Sequence, residues 1–204
     1  MSTTPSTRRK KPVQARSRQM VETLMQATAR VLVEDGYENL TTNRIAKTAG
    51  VSVGSLYQYF PNKQALVMEL ARRHNQEMMD SLAEHVATLL TAPIPEAVRT
   101  YVHATITHHA REPELTQALT VQQLSLGLDL VADSLQRAKP LVHAWLTAHK
   151  AEILPENLEL ATWMLIHLVE FTIHGALVED PALLAAPAFE DELVLVVLRY
   201  LVGG

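Results

Sequence analysis

The 204-residue sequence predicts an all-α fold, in which an N-terminal three-helix unit with a helix-turn-helix precedes a larger C-terminal helical domain. Apolar residues recur three and four positions apart along most of the chain, and no segment has the alternating pattern of a half-buried strand. Between residues 41 and 52, hydroxyl caps lie on either side of a glycine, a pattern typical of two short helices joined by a tight turn. An apolar content of 48% is enough for a sizeable core.

The first helix is predicted over residues 16–35, where apolar side chains recur on one face, and Gly36 ends it. The preceding residues 1–15 are polar and include the run Arg8-Arg9-Lys10-Lys11, so we expect a disordered basic arm. Such an arm binds phosphates or enters a minor groove, although a tail that only aids solubility is an equal alternative.

Capping chemistry predicts the helix-turn-helix. Thr41 or Thr42 can accept a hydrogen bond from the first turn of one short helix, and Ser52 can do the same for the next. Gly50 falls where the chain needs a left-handed conformation, which glycine adopts without steric cost. The second helix, expected over residues 53–59, has the position of a helix that enters a DNA major groove, so the sequence indicates duplex DNA as the ligand.

The surface of this second helix is unusual for a purely structural element. Gly54 and Ser55 weaken its first turn, but they leave so little side-chain bulk that the backbone can approach another surface closely. Tyr57 and Tyr59 lie near its edge. Lys63 lies just inside the following helix, where it opposes the helix dipole unless that end faces a phosphate.

Periodicity predicts six further helices, over residues 62–90 with Asn62 as the cap, 95–111, 114–126, 129–150, 156–179 and 189–202. The long helix over residues 62–90 connects the N-terminal unit to the rest of the chain. Pro140 either kinks its helix or starts a new segment. The last two helices are apolar on nearly all sides, which indicates burial in a core or beneath a partner subunit.

At this point the sequence resembles the TetR family of bacterial transcriptional regulators over about residues 16–70. The resemblance is carried by Ile45, Ala46, Ala49, Gly50, Val51, Ser52, Gly54, Leu56, Tyr57, Tyr59, Phe60, Asn62, Lys63 and Leu66. It implies a DNA-binding domain over residues 16–61 and an effector-binding and dimerisation domain over residues 62–204. It also implies a homodimer, and because a C-terminal helix pair forms the interface in that family, we favour a four-helix interface here. Most members are repressors that a small molecule releases from DNA.

The resemblance implies roles for individual residues as well. Thr42 and Asn43 would reach phosphates or base edges, Val53, Gly54 and Ser55 would face bases, and Tyr57, Tyr59 and Lys63 would hold phosphates. No arginine or long amide stands at the start of the recognition helix, so bidentate readout of a base is hard to assign. Gln58 and Asn43 are the remaining amide candidates, and DNA shape is a second source of specificity.

Charge is divided unevenly along the chain, whose formal net charge is −4. Residues 1–75 carry 12 Lys and Arg against 5 Asp and Glu, whereas residues 76–204 carry 6 against 17. A basic N-terminal part therefore precedes an acidic remainder. This division fits a unit that binds a polyanion, joined to a body that DNA would repel.

Several classes of function are disfavoured by what the sequence lacks. No cysteine is present, which excludes disulfides, thiolate metal sites and thiol nucleophiles. No apolar leader and no run of about 18 uninterrupted apolar residues occurs, so we expect no membrane association and a cytoplasmic location. No phosphate loop, Rossmann glycine pattern or nucleophile elbow occurs, so we expect neither catalysis nor a cofactor. None of the nine histidines forms a His-x-x-x-His pair within one helix, so we expect no metal site.

A small-molecule pocket is expected between helices of the C-terminal domain. The candidates are polar or aromatic side chains on faces that ought to be apolar, namely Tyr101, His103, Gln122, Trp145, Trp163, His167, Phe171 and His174. Each has an ordinary core or dimer contact as its alternative. Because the domain is leucine-rich with scattered polar groups, we expect an apolar or aromatic organic effector.

Together these features predict a homodimeric regulator, expected to be a repressor, whose two DNA-binding units read a palindromic operator. The effector would act through the long helix by favouring the state that does not bind DNA. One alternative is a DNA-bound factor that a protein partner controls, without a small-molecule pocket. The other is an enzyme or carrier on a helical scaffold, which predicts an acid–base cluster that the sequence does not reveal.

Overall fold

The computed structural model describes residues 11–126 and 130–203, and every regular element in these two ranges is helical. This confirms the all-α prediction. The helices are α1 (Lys11–Asn39), α2 (Thr42–Ala49), α3 (Val53–Tyr57), α4 (Lys63–Thr91), α5 (Ile94–Arg111), α6 (Pro113–Leu126), α7 (Leu130–Ala148), α8 (Leu158–Glu179) and α9 (Pro187–Val202). A 3₁₀ helix over Pro181–Ala185, which the sequence did not predict, joins α8 to α9.

The chain forms two compact units that divide between Leu70 and Ala71. In the first unit α1 packs on α2 and α2 on α3. The predicted boundary at residue 62 differs from this division because the beginning of α4 belongs to the first unit, where Leu66 and Leu70 are buried. Helix α4 therefore starts in one unit and ends in the other.

Helix α1 begins earlier than the sequence predicted. Residues 11–15 are helical, which corrects the prediction that the disordered arm extends to residue 15, while the rest of that arm lies outside the described residues. Gly36 leaves the helical conformation at φ 70° and ψ 166°, so the predicted break after residue 35 is confirmed within the span of α1. A side chain is rarely tolerated at this positive φ, which explains the glycine.

The core of the second unit is built from apolar side chains of α5, α7, α8 and α9. Helix α8 contacts α5, α6, α7 and the 3₁₀ helix, and α9 contacts α5. Val102, Leu146, Ile173 and Leu201 are completely buried in this core. Pro140 lies inside a continuous α7, so no new segment begins there.

Helix α8 is apolar on both its buried and its exposed sides. It is long and apolar enough to cross a membrane, with a mean hydropathy of 1.4, but half of it is buried inside the protein, as in the core helix of a helical domain. On the other side, Leu160, Trp163, Met164, Phe171 and Val178 are exposed, and we call these five residues the exposed face of α8. An exposed apolar face of this kind is typical of an interaction surface.

Candidate nucleic-acid interface and effector cavity

The turn between α2 and α3 is held by the caps that the sequence predicted. Thr41 accepts a hydrogen bond from the backbone N–H of Arg44 at 3.1 Å, and Ser52 accepts one from the N–H of Ser55 at 3.0 Å. Gly50 lies at φ 69° and ψ 27°, and its N–H donates to the Ala46 and Lys47 carbonyls. Left-handed glycine thus ends α2 and sets the direction in which α3 begins.

Two further contacts hold the helix pair in place. The hydroxyls of Thr42 and Tyr57 lie 3.1 Å apart and join α2 to α3. The Arg44 guanidinium donates to Asp35 at 2.9 Å and to Glu34 at 3.2 Å, which ties α2 to α1. The hydrogen bond and charge of Asp35 raise the pKa of Arg44, so this arginine serves the packing of the unit.

Lys63 has an intramolecular role that the sequence did not reveal. Its ammonium donates to the carbonyl of Tyr37 at 2.9 Å and lies 4.3 Å from the centre of the Tyr37 ring. Lys63 therefore neutralises the carbonyl end of α1, and the helix-dipole argument for a phosphate at this position has a competing explanation. Asn62 caps α4 as predicted, since its side chain accepts from the N–H of Ala65 at 2.8 Å.

Most of the predicted DNA contacts lie at the surface around α3, which is two residues shorter than expected. Leu56 is fully buried beneath the helix and fixes which side faces outward. Asn43, Gly54, Tyr57 and Gln58 are exposed, whereas Thr42, Val53, Ser55, Tyr59 and Lys63 are half-buried. Their roles on DNA stay predictions.

The two glycines of this region should respond oppositely to alanine. Gly50→Ala should lower the free energy of unfolding by about 1 kcal/mol, because a side chain is strained at its positive φ. Gly54→Ala should raise it by up to about 1 kcal/mol, because a Cβ there meets only the Ser52 hydroxyl oxygen at 3.9 Å. Urea denaturation of both variants measures the two signs, and a loss of stability in Gly54→Ala would mean that the fold itself requires this glycine.

A cavity of about 140 Å³, open to solvent on one side, lies between α5, α7, α8, α9 and the C-terminal end of α4 in the second unit. Its wall is almost entirely apolar, and among the described side chains that line it Tyr101 and Trp145 are the aromatic ones. The Trp145 Nε1–H donates to the Leu89 carbonyl at 2.8 Å, which fixes the indole against α4. Burial and then the charge of Glu170 raise the pKa of Tyr101, so its hydroxyl stays neutral.

The other effector candidates lie elsewhere. His103 is exposed, its Nδ1–H donates to the Glu190 carboxylate at 2.8 Å, and it borders a surface cleft. Gln122 is buried but does not line the cavity. Trp163, His167 and Phe171 form a row of ring contacts on α8, with neighbouring ring centres 4.2 and 5.4 Å apart. Of the eight candidates, Tyr101 and Trp145 line the cavity. The others do not, because helix faces with similar sequence patterns point in different directions in the fold.

His174 belongs to a cluster of polar groups that the sequence did not predict. Within the described part of the chain, ligand atoms of His109, Glu170 and His174 lie within 4.8 Å of one another. His74 and His108 lie beside them, with ring centres 4.8 Å apart. Burial lowers the pKa of His109, and it lowers those of His74 and His108 to about 4 and about 3, so these rings are neutral at neutral pH. The signal in the sequence was Glu170-x-x-x-His174, which puts both side chains on one helix face.

Known proteins resemble this chain over most of its length. It is 31% identical to the nucleoid occlusion factor SlmA of Actinobacillus pleuropneumoniae over 186 residues, which cover 91% of this chain and 76% of that protein. The transcriptional regulator FadR from Bacillus subtilis, solved in complex with stearoyl-CoA, has a TM-score of 0.70 at 22% identity, covering 86% of this chain and 96% of its own. A TetR-family transcriptional regulator from Mesorhizobium loti has a TM-score of 0.69 at 18% identity, covering 91% and 98%. None of the three is named as an enzyme.

The two parts of the chain also match two family profiles. Residues 24–70 match the bacterial regulatory proteins of the tetR family, and these residues contain the helix-turn-helix. Residues 93–201 match the tetracyclin repressor-like C-terminal domain, and these residues contain most of the cavity wall. The chain therefore belongs to the tetR family of DNA-binding transcriptional regulators.

Proposed function

We propose that the chain is a dimeric, cytoplasmic transcriptional repressor that a small apolar or aromatic organic effector releases from a palindromic operator. The observation that carries this proposal is the apolar cavity, whose wall includes Leu89 and Leu90 near the end of α4. A ligand in the cavity touches the helix whose first turns belong to the DNA-binding unit. Such a ligand shifts the population of states only if it prefers the state that does not bind DNA.

The chemistry of the cavity supports an apolar effector. Its wall offers hydrocarbon and aromatic surface, with the indole N–H of Trp145 already bonded to a carbonyl. Burying a charged ligand there without partners would cost far more than the contacts return. The solved FadR of Bacillus subtilis holds stearoyl-CoA, and this likeness supports an acyl chain as one form of effector.

The exposed face of α8 supports the dimer. Tryptophan and phenylalanine are enriched in subunit interfaces, and here Trp163 and Phe171 are 55% and 56% exposed. On α9, Leu195, Val196 and Val202 are also exposed, so both C-terminal helices present apolar surface. A two-fold dimer would cover the same surface on both subunits.

A footprint on the DNA upstream of the chain's own gene tests the proposed function. We expect a protected palindrome whose protection weakens at higher salt, because phosphate contacts release counterions. Adding stearoyl-CoA or the uncharged aromatic probe N-phenyl-1-naphthylamine should then reduce the protection. If neither probe changes the protection and calorimetry detects no binding of either probe, the proposed effector is wrong. The proposed binding to a palindromic operator would still stand.

Filling the cavity should block the effector. Ala97 lines the cavity and is buried, so Ala97→Phe should place a ring in it and reduce the affinity for the probe at least about tenfold. For the unmodified protein, a probe at 100 times its dissociation constant should stabilise the fold by about 2.7 kcal/mol, measured as a thermal shift. Ala110→Phe, at an exposed alanine on the same helix outside the cavity, is the control. Equal probe binding by both variants would place the effector elsewhere.

A second candidate function is nucleoid occlusion, as in the name of the 31% identical relative SlmA. In this candidate the chain would be a DNA-bound factor that a protein partner controls. The exposed face of α8 serves this candidate only if the dimer forms through another surface, whereas the apolar cavity favours a small-molecule effector. Mapping chromosomal binding sites separates the two, because a repressor occupies a few promoters and an occlusion factor occupies many sites across the chromosome.

A further inference from the structure

The cluster formed by His109, Glu170 and His174 has the chemistry of a metal site. His109 belongs to α5, and Glu170 and His174 lie one turn apart on α8. The side chains of His109 and Glu170 are 4% and 5% exposed, and that of His174 is 17% exposed. The site is therefore built inside the protein by two packed helices.

The hydrogen bonds made by the two Nδ1 atoms determine which nitrogen carries the proton in each neutral ring. His109 Nδ1 lies 2.8 Å from the Thr105 carbonyl oxygen, which only accepts, so Nδ1 carries the proton. His174 Nδ1 lies 2.9 Å from the Thr120 hydroxyl oxygen, whose single proton is donated to the Thr116 carbonyl at 2.8 Å. The Thr120 oxygen can then only accept from His174 Nδ1–H. In both neutral rings the lone pair therefore resides on Nε2.

These two lone pairs face each other. His109 Nε2 and His174 Nε2 are 3.2 Å apart, with no proton left between them while both rings are neutral. The Glu170 carboxylate oxygen lies 3.9 Å from the first nitrogen and 3.5 Å from the second. Three electron-rich atoms thus converge, and their arrangement is favourable only around a cation.

The distances suit a transition-metal ion. Ligands 2.0–2.1 Å from a tetrahedral zinc ion are about 3.3 Å from one another, close to the separations found here. Two imidazoles and one carboxylate are a ligand set that zinc uses when its fourth position is open. The hydrogen bonds from each Nδ1–H to Thr105 and Thr120 are those that orient histidine ligands in metalloproteins.

We propose that His109, Glu170 and His174 bind one divalent transition-metal ion of the zinc class per chain, through the two Nε2 atoms and the Glu170 carboxylate. The ion would join α5 to α8, and through Thr120 the second coordination sphere extends to α6. This site is separate from the proposed organic effector, since none of its three ligands lines the apolar cavity.

Calorimetric titration of the untagged, metal-free protein with zinc chloride tests the proposal. We expect one zinc ion per chain, and the chain has no cysteine that could bind zinc instead. His174→Asn should weaken the affinity for zinc at least about 100-fold. Thr120→Val should weaken it about 10- to 100-fold, because this substitution removes the hydroxyl that orients the His174 ring. Cobalt(II) added to the metal-free protein should give the intense visible absorption of a four-coordinate ion, which His174→Asn abolishes.

His143→Asn is the matched control. His143 Nε2 lies 3.6 Å from the Glu159 carboxylate at the surface, which resembles the His174–Glu170 pair without a third ligand. Its zinc affinity should equal that of the unmodified protein. If zinc does not bind, or if both histidine variants lose the same affinity, the proposal is wrong and the two Nε2 atoms share a proton instead. Circular dichroism verifies folding, and Thr120→Val supplies the same test if His174→Asn does not fold.

Discussion

Gly54→Glu should abolish operator binding while leaving the protein folded. Gly54 is exposed on α3 and a Cβ at this position meets no atom closer than 3.9 Å, so the fold accepts a side chain there. The proposed docking of α3 in the major groove does not, because a carboxylate would enter a surface of high negative charge density. We expect the affinity for operator DNA to fall at least about 100-fold, the equivalent of two contacts between base and side chain.

Fluorescence anisotropy with a labelled operator measures this loss, and thermal unfolding measures the fold. Gln26→Glu is the matched control, since it adds the same charge to the same unit on the exposed side of α1. Its affinity should change by only a few fold. If Gly54→Glu still binds the operator tightly, α3 is not the recognition helix and the assignment of this interface fails.

Removing the aromatic side chains of α8 should convert the dimer into monomers. Trp163→Ala and Phe171→Ala each delete an exposed ring that we propose to lie in the subunit interface. An interface aromatic contributes about 2 kcal/mol or more, and each substitution occurs twice in a two-fold dimer. Each variant should therefore weaken dimerisation by about 4 kcal/mol, which raises the dimer dissociation constant roughly 1000-fold.

Sedimentation velocity over a concentration series measures this shift. Val121→Ala serves as the control, because Val121 is an exposed apolar residue of α6, 48% accessible, outside the proposed interface. A palindromic operator should bind the two aromatic variants weakly, since two linked DNA-binding units bind more tightly than one. If Trp163→Ala remains dimeric at all concentrations, another surface forms the dimer.

The helices were largely predictable because their signals are local. Gly36, Gly50 and the caps Thr41, Ser52 and Asn62 act within three or four residues, so their effects can be read without knowing the rest of the fold. The predicted and observed ends of the later helices differ by only a few residues. The 3₁₀ helix after α8 has a weaker local pattern and was missed.

The residues of the candidate sites were harder to predict than the helices. The amino-acid pattern marks Trp145 and Trp163 as equivalent aromatic residues on apolar helices, yet the first lines the cavity and the second is exposed. Periodicity identifies which residues share a face of a helix, but the packing of neighbouring helices decides whether that face is core, cavity or surface. The contact made by Lys63 was not predictable for the same reason, because its partner Tyr37 lies on another helix.

By itself, the sequence determined the helical fold, the helix-turn-helix and the likeness to the TetR family, because these depend on short-range spacing. The tertiary structure alone decided which side chains meet across the chain. His109 and His174 are 65 positions apart, and no periodicity relates them. They approach within 3.2 Å because α5 packs on α8 and places each ring at the contact. Such convergence depends on three-dimensional packing, which local sequence patterns do not encode.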